Sequence, residues 1–246
     1  MLKIIICGIN GTLGELVYNC AIKNGHHVTC GIDKITVGKT DCPVYNAFDQ
    51  VRDLADVIID FSSPTAIDGI LAFAKDNSLP LVLGTTGYDK NQEQLITNAS
   101  EFIPIFKSAN MSLGINALLR LCRHASSILQ GYDVEIIEKH HNKKNDAPSG
   151  TTHLIYDALT FNKAEKPLER YGRKGFGKRQ TDEIGIHSVR GGSLVGEHSV
   201  LLLGNEESIT LTHTAHSKTL FAIGAIKASE FIVKKKRGLY CMDDLI

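Results

Sequence analysis

The sequence predicts an α/β protein with a doubly wound parallel sheet, followed by a smaller α+β domain with a mixed sheet. Three observations support this prediction. Over residues 1–107, apolar strand segments alternate with segments of helical periodicity. A glycine-rich turn joins the first strand to the first helix. Residues 183–214 instead contain consecutive strand patterns, which are typical of an antiparallel or mixed sheet.

The first part of the chain is expected to contain repeated strand–helix units. Residues 2–7 form an apolar run that is broken only by Lys3, which indicates a strand that is buried on both faces. Apolar residues then recur at helical spacing in residues 12–24, 64–75 and 91–99. Strands are predicted between these helices at residues 27–32, 57–61, 79–83 and 103–106. Such units predict one parallel sheet with helices on both faces.

The pattern changes after residue 112. A long helix is predicted at residues 113–129, a strand at 133–139 and a helix at 153–159. Residues 163–182 are rich in Lys, Arg and Gly and show little periodicity, so we expect a loop there. Strands are predicted at 183–189, 197–203 and 208–213, and the last helix, 220–234, could return to pack on the first domain. We therefore expect one domain from residues 1–111 with 218–246, and another from 112–217.

Composition excludes several classes of partner. Lys and Arg total 27, and Asp and Glu also total 27, so the chain has no net field to attract nucleic acid or an anionic membrane. The six cysteines include no C-x-x-C pair, which favours reduced thiols over disulfides or zinc. No signal peptide and no apolar stretch of about 20 residues is recognisable. We expect a cytoplasmic protein without nucleic-acid or membrane partners.

The turn Gly8-Ile9-Asn10-Gly11-Thr12-Leu13-Gly14 reads G-x-x-G-x-x-G between a strand and a helix. Glycines there allow a tight turn and close approach to a pyrophosphate, which the helix start attracts. This predicts a Rossmann-type dinucleotide-binding domain. Asp33 ends the second strand, where an acidic residue would accept hydrogen bonds from the adenosine ribose. We expect NADH to be preferred and NADPH tolerated, because Asp33 repels a 2′-phosphate while Lys34 attracts one; the alternative is that Asp33 is an ordinary turn residue.

Later strands of the first domain also end in small polar loops. These are Phe61-Ser62-Ser63-Pro64, Gly84-Thr85-Thr86-Gly87 and Ser108-Ala109-Asn110-Met111. In a doubly wound sheet all such strand ends lie along one edge, where the ligand crevice forms. Each loop alone is typical of a turn, but together they predict a cofactor edge.

A second group of polar residues follows the strand at 133–139. The histidines His140 and His141 come first, and adjacent strand residues face opposite ways, so a regular strand lets only one face a substrate. Lys144 adds a charge, and Gly150 and Thr151 open a helix whose outward amides could bind a carboxylate. A histidine beside such a site is a candidate proton donor at neutral pH.

Other interpretations of the histidines carry less weight. Two adjacent histidines on a strand cannot readily share one ion, so no metal site is expected. A structural role is expected for the remaining histidines: His26, His27, His124, His153, His187, His198, His213 and His216.

The segment from Glu138 to Thr151 resembles the E-x-H-H-x-x-K-x-D-A-P-S-G-T signature of the dihydrodipicolinate reductase family. Further blocks similar to that family follow in its order along nearly the whole chain: Asp60-Phe61-Ser62, Ala109-Asn110-Met111-Ser112-Leu113-Gly114, Ser188-Val189-Arg190-Gly191-Gly192, Val195-Gly196-Glu197-His198 and Phe221-Ala222-Ile223-Gly224-Ala225.

The resemblance implies roles for the matched residues. It makes His140 the proton donor, and Lys144 a second acid and substrate-binding cation. It implies substrate contacts for His141, Gly150 and Thr151. It implies cofactor contacts for Gly8, Ile9, Asn10, Gly11, Thr12, Leu13, Asp33, Lys34, Gly84, Thr85, Thr86, Ser108, Ala109, Asn110 and Met111.

The activity implied by the resemblance is reduction of 4-hydroxy-tetrahydrodipicolinate, a cyclic dicarboxylate, to tetrahydrodipicolinate in the diaminopimelate route to lysine, with NADH or NADPH. The resemblance also implies that residues 112–217 bind substrate and form a homotetramer through their sheet. Three alternatives stay open: another dehydrogenase of an amino-acid-like dicarboxylate, such as an aspartate dehydrogenase; a non-catalytic sensor of NAD(P)H; and a metal hydrolase that uses the histidine pair.

Overall fold

The computed structural model describes residues 1–38, 40–52 and 55–246, which form two compact units. The first unit contains Met1–Leu113 and Lys218–Ile246, and the second contains Gly114–Ser217. The chain therefore begins the first unit, builds the second, and returns to complete the first. Within the described ranges, no helix is both long and apolar enough to cross a membrane.

The first unit is built on a sheet of seven parallel strands, as predicted. The strands are β1 (Lys3–Cys7), β2 (His27–Ile32), β3 (Val44–Tyr45), β4 (Val57–Asp60), β5 (Leu81–Leu83), β6 (Pro104–Lys107) and β12 (Gly238–Tyr240). Their order is β12-β6-β5-β4-β1-β2-β3. The chain moves outward to one side of β1 and then to the other, so the direction of winding reverses between β1 and β4. Ligand crevices form at such reversals, beside the carboxyl ends of the strands.

Helices cover both faces of this sheet. They are α1 (Thr12–Lys23), α2 (Ile67–Asp76), α3 (Lys90–Ser100), α6 (Thr219–Ile232) and the short α7 (Met242–Leu245). Successive β1 side chains enter opposite cores: Ile4 and Ile6 pack with residues of α1 and α6, whereas Ile5 and Cys7 pack with residues of α2 and α3. Burial on both faces explains why the four residues after Lys3 in this strand are all apolar.

The second unit is built on a mixed sheet of five strands, also as predicted. The strands are β7 (Asp133–His140), β8 (Leu168–Tyr171), β9 (Glu183–Arg190), β10 (Gly196–Leu203) and β11 (Ser208–Ala215), in the order β11-β10-β7-β9-β8. The helices are α4 (Leu113–Ile128) and α5 (Gly150–Leu159). One sheet face packs against both helices, with Ile136 and Val200 at its centre. β7 is hydrogen-bonded to β10 on one side and β9 on the other, so the polar end of β7 has neighbours on both sides.

The structure corrects parts of the predicted element map. The loop expected at 163–182 is wrong for β8, a four-residue edge strand that is paired on one side only and mostly exposed. The predicted helix at 64–75 begins instead with a 3₁₀ turn, Pro64–Ala66. The sequence also did not predict β3, β12 or α7. Short and exposed elements bury too few side chains to impose a periodic pattern on the sequence.

Candidate active site

The glycine-rich turn lies at the carboxyl end of β1, beside the carboxyl end of β4. Gly8 has a φ of +76°, and a Cβ there would lie only 2.5 Å from the carbonyl oxygen of Phe61. A Cβ on Gly14 would run into the carbonyl oxygen of Gly8. The first turn of α1 therefore packs directly on the turn that precedes it, and these two positions accept no side chain.

The start of α1 presents backbone donors beside this turn. Gly11 is the N-cap residue, with extended backbone and no side-chain cap. Thr12 and Leu13 follow in the first helical turn, where amides have no acceptor within the helix. Such amides at the positive end of a helix, beside glycines that allow close approach, fit a pyrophosphate group.

Asp33 lies next to the glycine-rich turn. Its carboxylate accepts hydrogen bonds from the backbone amides of Asn10, at 3.0 Å, and Ile35, at 3.4 Å. The Asn10 side-chain amide donates to the Ile35 carbonyl oxygen at 2.6 Å. These bonds join the glycine-rich turn to the segment after β2 and orient the Asp33 carboxylate, while the neighbouring Lys34 is exposed.

Asp60 joins the loops that follow β4 and β5. It is fully buried and accepts hydrogen bonds from the Ser62 hydroxyl at 2.5 Å, the Ser62 amide at 3.0 Å and the Tyr88 hydroxyl at 3.2 Å. Burial raises the pKa of Asp60 above its ordinary value, although the Ser62 hydrogen bonds oppose that shift. A Cβ on Gly84 would run into the Phe61 ring, so the two loops pack tightly. The predicted segment Gly84 to Thr86 thus lies beside the loop after β4.

The loop after β6 is also ordered by its own side chains. The Ser108 hydroxyl donates to the Asn110 carbonyl oxygen at 2.8 Å, and the Asn110 side chain accepts from the Ser112 amide at 2.9 Å. Met111 is buried in the core, where a Cβ on Gly224 of α6 would run into its carbonyl oxygen. The predicted cofactor residues therefore all follow β1, β2, β5 or β6, along one edge of the sheet.

In the second unit, His140 is the last residue of β7 and lies nine-tenths buried on the same face as Glu138. Its Nδ1 is 2.5 Å from Oε2 of Glu138. Arg190, the register partner of His140 on β9, donates to both carboxylate oxygens of Glu138, at 2.6 and 2.7 Å. Glu138 is thus a fully buried carboxylate between a guanidinium and an imidazole.

These contacts determine the ionisation of Glu138 and shift the pKa of His140. Burial acts to raise the pKa of Glu138, but hydrogen bonds from Arg190 and His140 outweigh it and hold the pKa at about 2. Burial lowers the pKa of His140, Glu138 opposes that shift, and the positive charges of Lys144 and Arg190 add to it. Because Glu138 is ionised, it accepts a hydrogen bond from Nδ1–H of His140. The Nε2 atom is therefore the one available for proton exchange.

His198 on β10 completes the surroundings of His140. The two rings form an edge-to-face pair with centroids 5.2 Å apart, and His198 Nε2 lies 2.8 Å from the Ser149 hydroxyl. Burial lowers the pKa of His198 to about 4, and the nearby His140 contributes to that shift. A Cβ on Gly196 would lie 2.9 Å from His140 Nε2, so glycine leaves space at that atom. Neither Gly196 nor His198 was predicted as a site residue. The two-residue period of β10 is the signal that could have placed His198, because it puts this residue on the same face as the core residues Val200 and Leu202.

The chain turns immediately after β7 and brings Lys144 back towards the strand end. The Lys144 amide donates to the His141 carbonyl oxygen at 3.2 Å, and its ammonium pairs with Asp146 at 2.7 Å. Arg190 also donates to the Asp146 carbonyl oxygen, at 2.7 Å. His141 lies beyond the end of the strand and is half-buried, so the two adjacent histidines have different surroundings.

Helix α5 begins beside this cluster. Ser149 is its N-cap residue, and the Ser149 hydroxyl accepts from the Thr152 amide at 3.3 Å. Gly150 and Thr151 form the first turn, and a Cβ on Gly150 would meet nothing within 4 Å. The contact of Ser149 with His198 joins the helix start to the ring that touches His140. Glu138, His140, Lys144 and Ser149 thus lie near one another in the structure. Arg190 and His198, from β9 and β10, lie beside them. Over the part of the chain that the structure describes, no group of three or more His, Cys, Asp or Glu side chains could hold a metal ion.

Comparison with protein families covers nearly the whole chain. Residues 2–111 match the model for the N-terminus of dihydrodipicolinate reductase, and residues 114–246 match the model for its C-terminus. A protein of Caldanaerobacter subterraneus subsp. tengcongensis named 4-hydroxy-tetrahydrodipicolinate reductase is 46% identical over 248 residues, which cover 100% of this chain and 98% of that protein. A protein of the same name from Clostridium novyi is 45% identical over 249 residues, with coverage of 100% and 98%.

Solved structures with a similar fold are also found. The dipicolinate-bound dihydrodipicolinate reductase from Paenisporosarcina sp. TG-14 has a TM-score of 0.84 and 22% identity, and each chain is covered fully. The aspartate dehydrogenase from Thermotoga maritima has a TM-score of 0.54 and 13% identity, with 94% of this chain and 96% of that chain covered. Its lower TM-score indicates a fold that is less similar to that of this chain. Since both family models and the full-length relatives agree, the chain belongs to the dihydrodipicolinate reductase family.

Proposed function

We propose that this chain reduces 4-hydroxy-tetrahydrodipicolinate to tetrahydrodipicolinate, a step of the diaminopimelate route to lysine, with hydride from NADH or NADPH. The observation that carries the proposal is the buried His140 with its ionised partner Glu138, beside Lys144 and the start of α5. Membership of the reductase family supports the same reaction.

The first unit would hold the dinucleotide. The two positions that exclude a side chain, Gly8 and Gly14, and the amides at the start of α1 suit a pyrophosphate. Asp33 would accept hydrogen bonds from the ribose hydroxyls, since the Asn10 and Ile35 amides already orient its carboxylate. When bound, the nicotinamide supplies the hydride.

The second unit would bind the dicarboxylate and supply the proton. Lys144 would exchange its carboxylate partner Asp146 for a substrate carboxylate, assisted by the positive start of α5 at Gly150 and Thr151. His140 would donate its proton from Nε2. The lowered pKa makes its imidazolium a stronger acid, and the negative charge of a bound dicarboxylate would restore its protonated fraction. A positioned acid contributes about 10²–10⁴-fold in rate.

Consumption of NADH tests the proposal, with substrate generated in situ by the preceding synthase. The His140→Gln and Lys144→Ala variants should each lose about 10²-fold or more in kcat, with nearly unchanged NADH affinity. Near-normal turnover in both variants would contradict the assignment. A metal hydrolase would consume no NADH and would lose its own activity with EDTA, whereas cofactor binding without turnover would favour a sensor.

Within this activity, we expect NADH to be preferred and NADPH tolerated. The Asp33 carboxylate would repel the 2′-phosphate of NADPH, while the exposed Lys34 would attract it. An Asp33→Asn variant should move the ratio of kcat/KM values towards NADPH. A strong preference of the wild type for NADPH would contradict this expectation.

We also propose that the chain acts in the cytoplasm as a homotetramer, formed through the sheet face of the second unit that is turned away from α4 and α5. That face carries Ile137, Leu201 and the exposed Val189, which association would bury. Sedimentation at assay concentrations should give a tetramer, and a monomer there would contradict the proposal.

A further inference from the structure

The carboxylate of Glu138 receives more hydrogen bonds than an ion pair requires. Arg190 donates to both of its oxygens, and Nδ1 of His140 occupies a third position at 2.5 Å. The same guanidinium also donates to the Asp146 carbonyl oxygen, at 2.7 Å. One Glu–Arg pair therefore contacts the imidazole ring and the loop that carries Lys144.

Burial of such an ion pair destabilises the fold unless the charged groups form good hydrogen bonds. Glu138 is fully buried, and removal of a charge from water is only repaid by well-formed partners. Two apolar side chains could pack in the space of Glu138 and Arg190. Ile136, two residues before Glu138 on the same face of β7, is packed in the apolar core in this way. The bonds to His140 and Asp146 are what an apolar pair could not provide.

We propose that Glu138 and Arg190 are a positioning pair, which holds the His140 ring with Nδ1–H towards Glu138 and Nε2 towards the substrate. This inference rests on the proposed role of His140 as proton donor. Glu138 fixes which nitrogen carries the permanent proton, and Arg190 fixes Glu138 through two bonds. Neither residue needs to touch the substrate.

The pair makes a prediction that a merely structural role does not. The charged and titratable groups that face His140 are Glu138 on its own strand, Arg190 on β9, His198 on β10 and Lys144 in the loop. Loss of the Glu138 charge removes the only anion among them, so the pKa of His140 should fall. Without the Arg190 charge, the Glu138 carboxylate interacts mainly with His140, so the pKa of His140 should rise. The two variants should therefore shift the titration in opposite directions.

Histidine NMR of the ¹⁵N-labelled full-length chain measures this directly. The signals of His140 are those that disappear in the His140→Gln protein. The wild type should show the Nδ1–H tautomer. Glu138→Gln should lower the titration midpoint by about one pH unit or more, and Arg190→Gln should raise it by a similar amount. A wild-type Nε2–H tautomer, or shifts in the same direction, would overturn the proposal.

Matched controls lie on the opposite face of the same sheet. Lys139 and Glu197 are ion-paired at 2.6 Å across β7 and β10. Glu197→Gln and Lys139→Gln carry the same charge changes as the two test variants and should leave the His140 titration nearly unchanged. Equal shifts in the controls would show that net charge, not the pair, sets the midpoint.

Kinetics give the second measurement. Both test variants should lose on the order of 10- to 100-fold in kcat, with little change in the KM for NADH. The pH above which kcat/KM falls should move down in Glu138→Gln and up in Arg190→Gln, because the donor is the protonated ring. If Arg190→Gln does not fold, Arg190→Lys is the substitute, because it keeps the positive charge but cannot donate to both Glu138 oxygens in the same way. In this variant the His140 titration should stay near the wild-type midpoint while kcat falls. An unchanged kcat would overturn the proposal.

The two proposals can fail separately. Opposite NMR shifts in a protein that does not reduce the dicarboxylate would refute the function and leave the positioning pair intact. Normal turnover with no shift in either variant would refute the pair alone.

Discussion

Glycine at the nucleotide turn is required by close backbone approach as much as by conformation. Gly14 lies inside α1 and has an ordinary helical backbone, yet a Cβ there would enter the space of the Gly8 carbonyl oxygen. The first turn of α1 could accommodate a methyl group only by moving away from the glycine-rich turn. Such a movement would displace the amides at the helix start.

We expect Gly14→Ala to lose about 1–3 kcal/mol of unfolding free energy, because the added methyl overpacks a filled site. NADH affinity should fall as well, since the helix start moves. Urea unfolding and NADH titration measure the two effects. Gly69→Ala is the matched control: Gly69 lies in α2 with nothing within 4 Å of its Cβ, so this variant should gain about 0.5–1 kcal/mol. Equal stability of the Gly14→Ala and Gly69→Ala proteins would contradict the packing argument.

At the scale of single elements, the start of α5 has two functions. Ser149 caps the helix by accepting from the Thr152 amide, and its hydroxyl also meets His198 Nε2. The helix start that would bind a carboxylate is therefore attached to the ring that packs on His140. One hydroxyl couples helix stability to the geometry of the site.

Ser149→Ala should remove the cap, worth about 1 kcal/mol, and leave the buried His198 nitrogen without its partner, which costs about 1–3 kcal/mol more. The KM for the dicarboxylate should rise, with little change in the KM for NADH. Asp89→Ala is the control, because Asp89 caps α3 of the first unit through a bond to the Gln92 amide at 2.9 Å. It should lose about 1 kcal/mol and leave the dicarboxylate KM unchanged. A similar rise of that KM in both variants would contradict a local role for Ser149.

At the scale of the whole molecule, buried ionisable groups set the response to acid. The folded state holds the pKa of His198 at about 4, against an ordinary 6.5. Between these pH values His198 binds a proton in the unfolded chain but not in the folded chain. Its contribution to the unfolding free energy is therefore fully present above pH 6.5 and is lost as the pH falls towards 4. Glu138, whose folded pKa is about 2 against an ordinary 4.5, acts in the same direction at lower pH.

The unfolding free energy should therefore fall more steeply between pH 7 and pH 4 in the wild type than in His198→Gln. The His198 contribution amounts to about 3 kcal/mol, because its pKa falls from 6.5 in the unfolded chain to about 4 in the folded state. Urea unfolding at several pH values gives the slope for each protein. His153→Gln replaces an exposed histidine of α5 and should keep the wild-type slope. An unchanged slope in His198→Gln would contradict burial as the cause.

Local sequence patterns were enough to predict the first sheet and the segment that carries the polar site residues. The apolar residues of β1 after Lys3, the glycine spacing that follows them, and the alternation of strands and helices predicted the parallel sheet and its nucleotide edge. The segment from Glu138 to Thr151 carried the resemblance to a reductase family, because several unrelated residue types in it match that family's signature at fixed offsets. Local spacing fixes such features since strand and helix periods, and tight turns, each involve neighbouring residues.

The surroundings of His140 depend on contacts between segments that are far apart in the sequence. Arg190 is 52 residues from Glu138, and His198 is 49 residues from Ser149, so no local period connects them. The pairing of β7 with β9 and β10 brings these side chains to one buried face. Hydrogen bonds from Arg190 and His140 keep Glu138 ionised there, and burial lowers the pKa of both His140 and His198. The edge strand β8 was missed for the related reason that its pairing, not its own pattern, makes it a strand. Strand register and desolvation arise between distant segments, and a sequence pattern records neither.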